Sequence, residues 1–373
     1  MRVLFLQQQP CVRALKYAAG LRAVRPDLEL AFAYQGKTLG EWYRSGDELF
    51  DAWFPLGDDP RSTLPIVLRH YAPDLVHSHN LPDSLTVLAN EVDRAPVVHD
   101  VHDLQSLRRT PYENGFPEPR ELPTLERRAI EESAAIVTVS DELLVEISAL
   151  YRARGPAVVF PNYALGRDLP ESLPAREHLD GKPLRLVYEG TLSTNGGHYD
   201  LRAIFRVLAA GGVSLEIFPS REAPAYRALA AETPGVRYHD RVDPPALLRR
   251  LPEYDLGWAG FNACLNKAHL DTALPNKVFD YLASGLPVVT LDHRAIRRLL
   301  RERGVGIALD SPSDLRRVLS RCDIESVRDR VAAVRNSLTI EANIDPILAL
   351  YDAVAAGVSH RPTSVSGRAA EDP

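Results

Sequence analysis

The chain has 373 residues, 45% hydrophobic and 25% charged, with a formal net charge of -6. Those are values of a globular protein; they set aside a wholly disordered or fibrous chain, and the acidic balance argues against a dedicated nucleic-acid binder. The length exceeds what one hydrophobic core usually sustains, so two domains are expected.

Residues 1–165 alternate short apolar runs with helical patterns. The runs are Val3–Leu6, Leu28–Phe32, Leu75–His77, Pro96–Val101, Ile136–Val139 and Val158–Phe160. Such alternation predicts a parallel sheet with helices on both faces. The first run is too short for a signal peptide or a membrane span, and three widely spaced cysteines suit a reducing compartment. A cytoplasmic protein is therefore expected. The segment Val12–Arg25 carries Arg13, Lys16, Arg22 and Arg25 among apolar residues. It reads as the first helix of a Rossmann unit with a solvated basic face; the alternative is peripheral contact with anionic lipid at the inner membrane surface.

Residues 166–183 are rich in Pro, Gly, Arg and Asp without periodicity and form the expected linker. A second series of runs fills residues 184–335: Leu186–Tyr188, Val213–Phe218, Val236–His239, Leu256–Trp258, Val288–Leu291 and Val305–Leu309. The sequence thus predicts two doubly wound, Rossmann-like α/β domains. A helical segment within 336–358 follows, and the polar residues 359–373 read as a disordered tail.

Ligands of open parallel sheets bind beyond the carboxyl ends of the strands. Two such ends here are polar: His77-Ser78-His79-Asn80 and His99-Asp100-Val101-His102-Asp103. A metal reading of these histidines is weakened by strand geometry, because His99 and His102 face opposite sides of a regular strand. There is also no Asp-x-Asp in the chain, and no metal is assigned. Asp74 and His77 are read as structural, and Asn162 as a turn former. Downstream, Tyr188-Glu189-Gly190-Thr191 is a strand followed by a glycine turn that can bring backbone close to a diphosphate. His239-Asp240-Arg241 follows another strand.

The most informative run is Leu274-Pro275-Asn276-Lys277-Val278-Phe279-Asp280-Tyr281-Leu282-Ala283-Ser284-Gly285-Leu286-Pro287-Val288-Val289. It joins a polar turn, a short amphipathic helix stopped at Gly285, and a buried strand. Its helix start presents free backbone N–H groups, the positive dipole end and Lys277, with Asp280 one turn on. Only five of the 44 basic residues are Lys, so one at a helix start stands out. Anionic phosphate beside a hydroxyl-rich sugar suits that set.

This run resembles the Pro-Asn-Lys-x-Phe-Glu-Tyr-Leu-Ala-x-Gly-x-Pro-Val-Val segment of family 4 retaining glycosyltransferases, in the Leu-Pro-Asn-Lys subtype, with Asp280 in place of the usual Glu. The resemblance covers roughly residues 1–355. It implies a GT-B fold: an N-terminal acceptor domain, a C-terminal nucleotide-sugar domain, and a C-terminal helix crossing back onto the first domain. It also implies metal-independent transfer of a hexose or N-acetylhexosamine from a nucleotide diphosphate sugar, UDP-sugar favoured, to an acceptor of a surface glycan or specialised metabolite. The acceptor would be a small molecule, a glycan or a lipid-linked compound, and no cofactor or nucleic acid is expected.

Carried over residue by residue, His102 and Lys277 are the expected catalytic residues. Gly190, Thr191, Arg241, Asn276, Lys277 and Asp280 are expected at the donor, and Asn80 and Asp103 at the acceptor. Two departures stand out. The Arg and Lys that neutralise the leaving diphosphate in many relatives are replaced by Thr191 and the Asn195-Gly196 region, with Lys277, His198 or Arg241 left to compensate. The first of the family's paired carboxylates is replaced by Thr272. Two other readings fit this layout: a non-hydrolysing UDP-sugar 2-epimerase-like enzyme, and a catalytically silent nucleotide-sugar-binding partner.

Overall fold

The computed structural model describes residues 1–109, 122–173, 183–263 and 265–358. The expected tail at 359–373, part of the expected linker and Cys264 lie outside the described residues. The first sheet is built from β1 (Arg2–Gln7), β2 (Glu29–Tyr34), β3 (Ala52–Pro55), β4 (Leu75–His79), β5 (Val97–Val101), β6 (Ala135–Thr138) and β7 (Ala157–Val159), in the order β3-β2-β1-β4-β5-β6-β7. The second comprises β8 (Arg185–Gly190), β9 (Ser214–Pro219), β10 (Val236–Tyr238), β11 (Leu256–Trp258), β12 (Val288–Leu291) and β13 (Gly306–Leu309), in the order β10-β9-β8-β11-β12-β13. Every pairing is parallel.

Continuous apolar runs such as Val3–Leu6 are fully buried, as parallel strands covered by helices on both faces must be. Both sheets share one topology, in which the order of strand addition reverses between β1 and β4 in the first sheet and between β8 and β11 in the second. These switch points open a crevice at the strands' carboxyl ends. β3 falls outside the runs read from sequence: it is a four-residue edge strand that ends on Pro55, where a missing N–H costs no ladder bond.

The helix Asp345–Val358 returns to the first domain. Ile344, Ile347, Leu350 and Tyr351 share one apolar core with Phe5, Tyr17 and Phe160, and the Tyr351 hydroxyl meets His77 Nδ1. Other contacts hold the halves together across the crevice. Arg298 on the helix Arg294–Arg303 reaches Glu142 at 2.6 Å and Asp141 at 2.5 Å, while Ser140 donates to the Thr272 carbonyl at 2.6 Å. Among the described residues no helix is long and apolar enough to cross a membrane.

The basic helix Val12–Val24 departs from expectation. Arg13 and Lys16 are buried rather than solvated. Arg22 is taken up by the Leu28 and Leu49 carbonyls and Asp51, and Arg25 by Asp27. The helix therefore offers no basic stripe for lipid, because its two central cations are consumed inside the protein.

Candidate functional site

The helix Asn276–Ala283 starts where the sequence predicts, with Pro275 at its N-cap position and the backbone turning over Gly285 at φ +85°. Lys277 is 8% exposed, and its Nζ lies 4.1 Å from the Tyr188 ring centroid and 5.1 Å from that of Phe261. Among the described residues it has no hydrogen-bond partner. Aromatic faces attract a cation but do not replace hydration, so burial brings the Lys277 pKa down to about 7 even though Glu189 opposes the shift.

Gly190 ends β8 against this ammonium. A Cβ there would stand 3.3 Å from Lys277 Nζ, a tight contact, and φ is +120°, so the turn itself calls for glycine. Thr191 follows: its carbonyl accepts from the Tyr188 hydroxyl at 2.5 Å and its Oγ1 lies 3.5 Å from Ser220 Oγ. Glu189, just before Gly190, is half-buried with Oε1 unpartnered. Burial pushes its carboxyl up, the nearby Asp280 adds to the shift, and Lys277 and Lys16 moderate it. Glu189 was missed in the sequence because a carboxylate before a glycine turn reads as ordinary surface.

Asp280 and Asn276 do not stand free for a ligand. Lys16 Nζ donates to Asn276 Oδ1 at 2.8 Å and to Asp280 Oδ1 at 3.2 Å, and it lies 3.4 Å from the Asn162 carbonyl oxygen. A lysine of the first domain is thus part of the helix-start cluster. Asn162 is more than a turn former: it accepts from Arg13 at 3.0 Å and donates to the Leu274 carbonyl at 2.7 Å.

Across the crevice, His102 Nε2 lies 3.0 Å from His79 Nδ1 and 3.7 Å from Asp100 Oδ1. Burial brings the His102 pKa down to about 4 against the pull of Asp100, so its imidazole is neutral near pH 7. Asp100 is the hub. It accepts from Arg13 Nε at 2.9 Å and lies 3.3 Å from His77 Nε2; burial alone would raise its pKa, but Arg13 and the neighbouring histidines hold it well below the carboxylate range. His99 points to the other face, where it meets Thr86 at 3.1 Å.

Asn80, expected on the acceptor side, is bonded to backbone here. Its amide donates to the Asp103 carbonyl at 2.7 Å and its oxygen accepts from the His102 N–H at 2.9 Å, so the buried side chain is spent on the backbone of its neighbours. Asp103 does face the crevice, with its carboxylate 3.7 Å from His269 Nε2 of the second domain. His198 is buried and its pKa is brought down to about 3 by burial, so its imidazole is neutral near pH 7. Arg241 stays at the rim, half exposed, with Asp243 at 4.0 Å as its ion-pair partner. Thr272 is buried and turns its hydroxyl to the His269 carbonyl.

The comparisons agree with this architecture. Residues 6–163 match the glycosyl transferase 4-like domain, and residues 211–340 match the glucosyltransferase 3-like, C-terminal domain. Glucosyltransferase 3 of Streptococcus gordonii is 31% identical over 103 residues, which span 27% of this chain and 31% of that relative. Among solved structures, a glycosyltransferase from Rickettsia africae aligns with a TM-score of 0.68 at 11% identity, covering 95% of this chain and 98% of its own. Sucrose-phosphate synthase from Thermosynechococcus elongatus gives 0.66 at 13% identity, covering 95% and 99%. Anabaena HepE in complex with UDP-glucose gives 0.62 at 16% identity, covering 96% and 99%. Likeness at these identities establishes the fold, which is GT-B. Together with the two domain matches in tandem, it supports a GT-B glycosyltransferase.

Proposed function

We propose that the chain is a retaining glycosyltransferase of the cytoplasm that moves a hexose or N-acetylhexosamine from a nucleotide diphosphate sugar, UDP-sugar favoured, to an acceptor hydroxyl. The observation that carries this reading is Lys277: a buried ammonium without a hydrogen-bond partner among the described residues, beside the strand-end Gly190 and at a helix start. Burying a charge unpaired is costly, and an arriving diphosphate relieves that cost. The glucosyltransferase matches and the UDP-glucose held by HepE support a sugar nucleotide as the anion.

In this reading the donor lies on the second domain, its diphosphate between Gly190-Thr191 and the start of the helix Asn276–Ala283, its ribose near Asp280 and its base toward the Arg241 loop. As the bond from the anomeric carbon to the phosphate oxygen breaks, charge grows on the leaving group. Lys277 and fixed N–H dipoles stabilise it without a metal, each well-placed donor contributing about 3–4 kcal/mol. The acceptor hydroxyl attacks from the same face and passes its proton to the departing phosphate oxygen. Neutral His102 accepts from or donates to a sugar hydroxyl, and Asp103 lies on the acceptor side.

The test is proton NMR of UDP-glucose incubated with the full chain, without acceptor and then with candidate acceptor hydroxyls. Retention predicts glucose or glucoside appearing first as the α anomer, with loss of turnover in Lys277→Ala. A β product refutes retention, and a changed nucleotide sugar in the acceptor-free sample establishes the epimerase reading instead.

A further inference from the structure

We propose that Cys11, His79 and His102 form a binding site for a thiophilic divalent cation of the zinc type. The three residues come from adjacent parallel strands of the first sheet: Cys11 follows β1, His79 ends β4 and His102 follows β5. Their ligand atoms all lie within 4.8 Å of one another. A tetrahedral zinc with ordinary Zn–N and Zn–S bonds separates its ligand atoms by about 3.3–3.6 Å. The His79 to His102 nitrogen distance of 3.0 Å is already close to that, and the thiol sulfur, within 4.8 Å of both nitrogens, has at most about 1.2 Å to close.

The surroundings favour a cation. Asp100 Oδ1, 3.7 Å from His102 Nε2, has no hydrogen-bond partner among the described residues and places negative charge beside the site. His79 Nε2 is likewise without a hydrogen-bond partner among the described residues. The hydrogen now shared between the two imidazoles can move to His79 Nε2, which exchanges the imidazole–imidazole hydrogen bond for two metal–nitrogen bonds. Cys11 releases its thiol proton to solvent. Cys11 and His102 are partly exposed, so a fourth position stays open to water from the crevice. Sulfur and imidazole ligands exclude magnesium and calcium, which require oxygen. The neighbouring His77-His79-Asp100 cluster is a poorer host, because Tyr351 and Arg13 already hold His77 and Asp100.

A cation here withdraws His102 from a sugar hydroxyl and so opposes transfer. That consequence rests on the function proposed above; the metal affinity does not. The experiment titrates zinc into chelator-treated full-length protein against a chromophoric competitor, and records the absorption spectrum with cobalt. The expected result is one zinc per chain, a sulfur-to-cobalt charge-transfer band, and retention of both in the Cys264→Ser/Cys322→Ser double variant. Cys11→Ser, a favoured N-cap replacement, should weaken zinc by at least about tenfold and abolish the band. No stoichiometric zinc binding, or affinity and band unchanged in Cys11→Ser, overturns the site whether or not the protein transfers sugar.

Discussion

Lys277 predicts a pH dependence of donor binding that no ordinary surface lysine would give. In the ligand-free protein its pKa lies at about 7, because burial disfavours the ammonium. A diphosphate favours the ammonium and returns the pKa toward its usual value, so above neutrality each binding event takes up one proton. The sign follows: affinity falls as pH rises through the depressed pKa, approaching tenfold, or about 1.4 kcal/mol, per pH unit. Between pH 7 and pH 9 the dissociation constant should therefore rise about 50-fold, taking the fraction of ammonium from about one half to one hundredth.

The assay is isothermal titration calorimetry with UDP-glucose, whose diphosphate diester stays fully ionised over this range. Two buffers of different ionisation enthalpy read the proton uptake directly. Lys277→Arg keeps its charge at every pH and should flatten the slope whatever its absolute affinity. Glu189 ionises as pH rises and adds repulsion, because its own carboxyl is pushed up by burial; Glu189→Gln removes that contribution and leaves the lysine slope. A wild-type dissociation constant constant from pH 7 to 9, or an equal slope in Lys277→Arg, refutes the assignment of Lys277 to the diphosphate.

Three further outcomes follow from the geometry. Arg13→Met leaves the fully buried Asp100 without its cation and should cost about 3–5 kcal/mol in urea unfolding, with Arg13→Met/Asp100→Leu less destabilising than the single change. Lys16→Met removes the charged hydrogen bonds to Asn276 and Asp280; it should lower unfolding stability by about 1–3 kcal/mol and increase the radius of gyration in small-angle scattering, whereas an unchanged profile means the lysine does not hold the domains. Gly190→Ala strains a left-handed backbone against Lys277 Nζ and should cost about 1–3 kcal/mol, read as a lower melting temperature, with UDP-glucose affinity falling in parallel.

Both sheets were legible because parallel strands covered on two faces must be runs of apolar residues, and all but the proline-ended edge strand β3 showed as such. The strand ends were less so. Glu189 and Gly190 extend β8, and Ser78 and His79 extend β4, beyond the apolar runs, because residues at carboxyl ends answer to the crevice rather than the core. The helix start at Asn276 was legible in its composition, while the loads on its side chains were not. Lys16 meets Asp280 across 264 positions of sequence, and Arg13 meets Asp100 across 87. Local periodicity carries no information about such partners, so two cations on a helix among alanines read as solvated when each was buried against a distant carboxylate.

That pairing gives the first helix a role the motifs do not suggest. Arg13 and Lys16, three positions apart, project from one face of the helix Val12–Val24. Arg13 fixes Asp100, which stands beside His79 and His102; Lys16 fixes Asn276 and Asp280 at the start of the helix that carries Lys277. Asn162 joins the two, taking a hydrogen bond from Arg13 and giving one to the Leu274 carbonyl just before that helix. His102 and Lys277, which the proposed mechanism assigns to the sugar and the phosphate, are thus set by one element, although they belong to different domains. A change in the separation of the domains has to break the Lys16 contacts together with those of Asn162, Ser140 and Arg298, while Arg13 and Asp100 move together. Opening should accordingly disturb the donor side of the crevice and leave the arrangement of His79 and His102 intact.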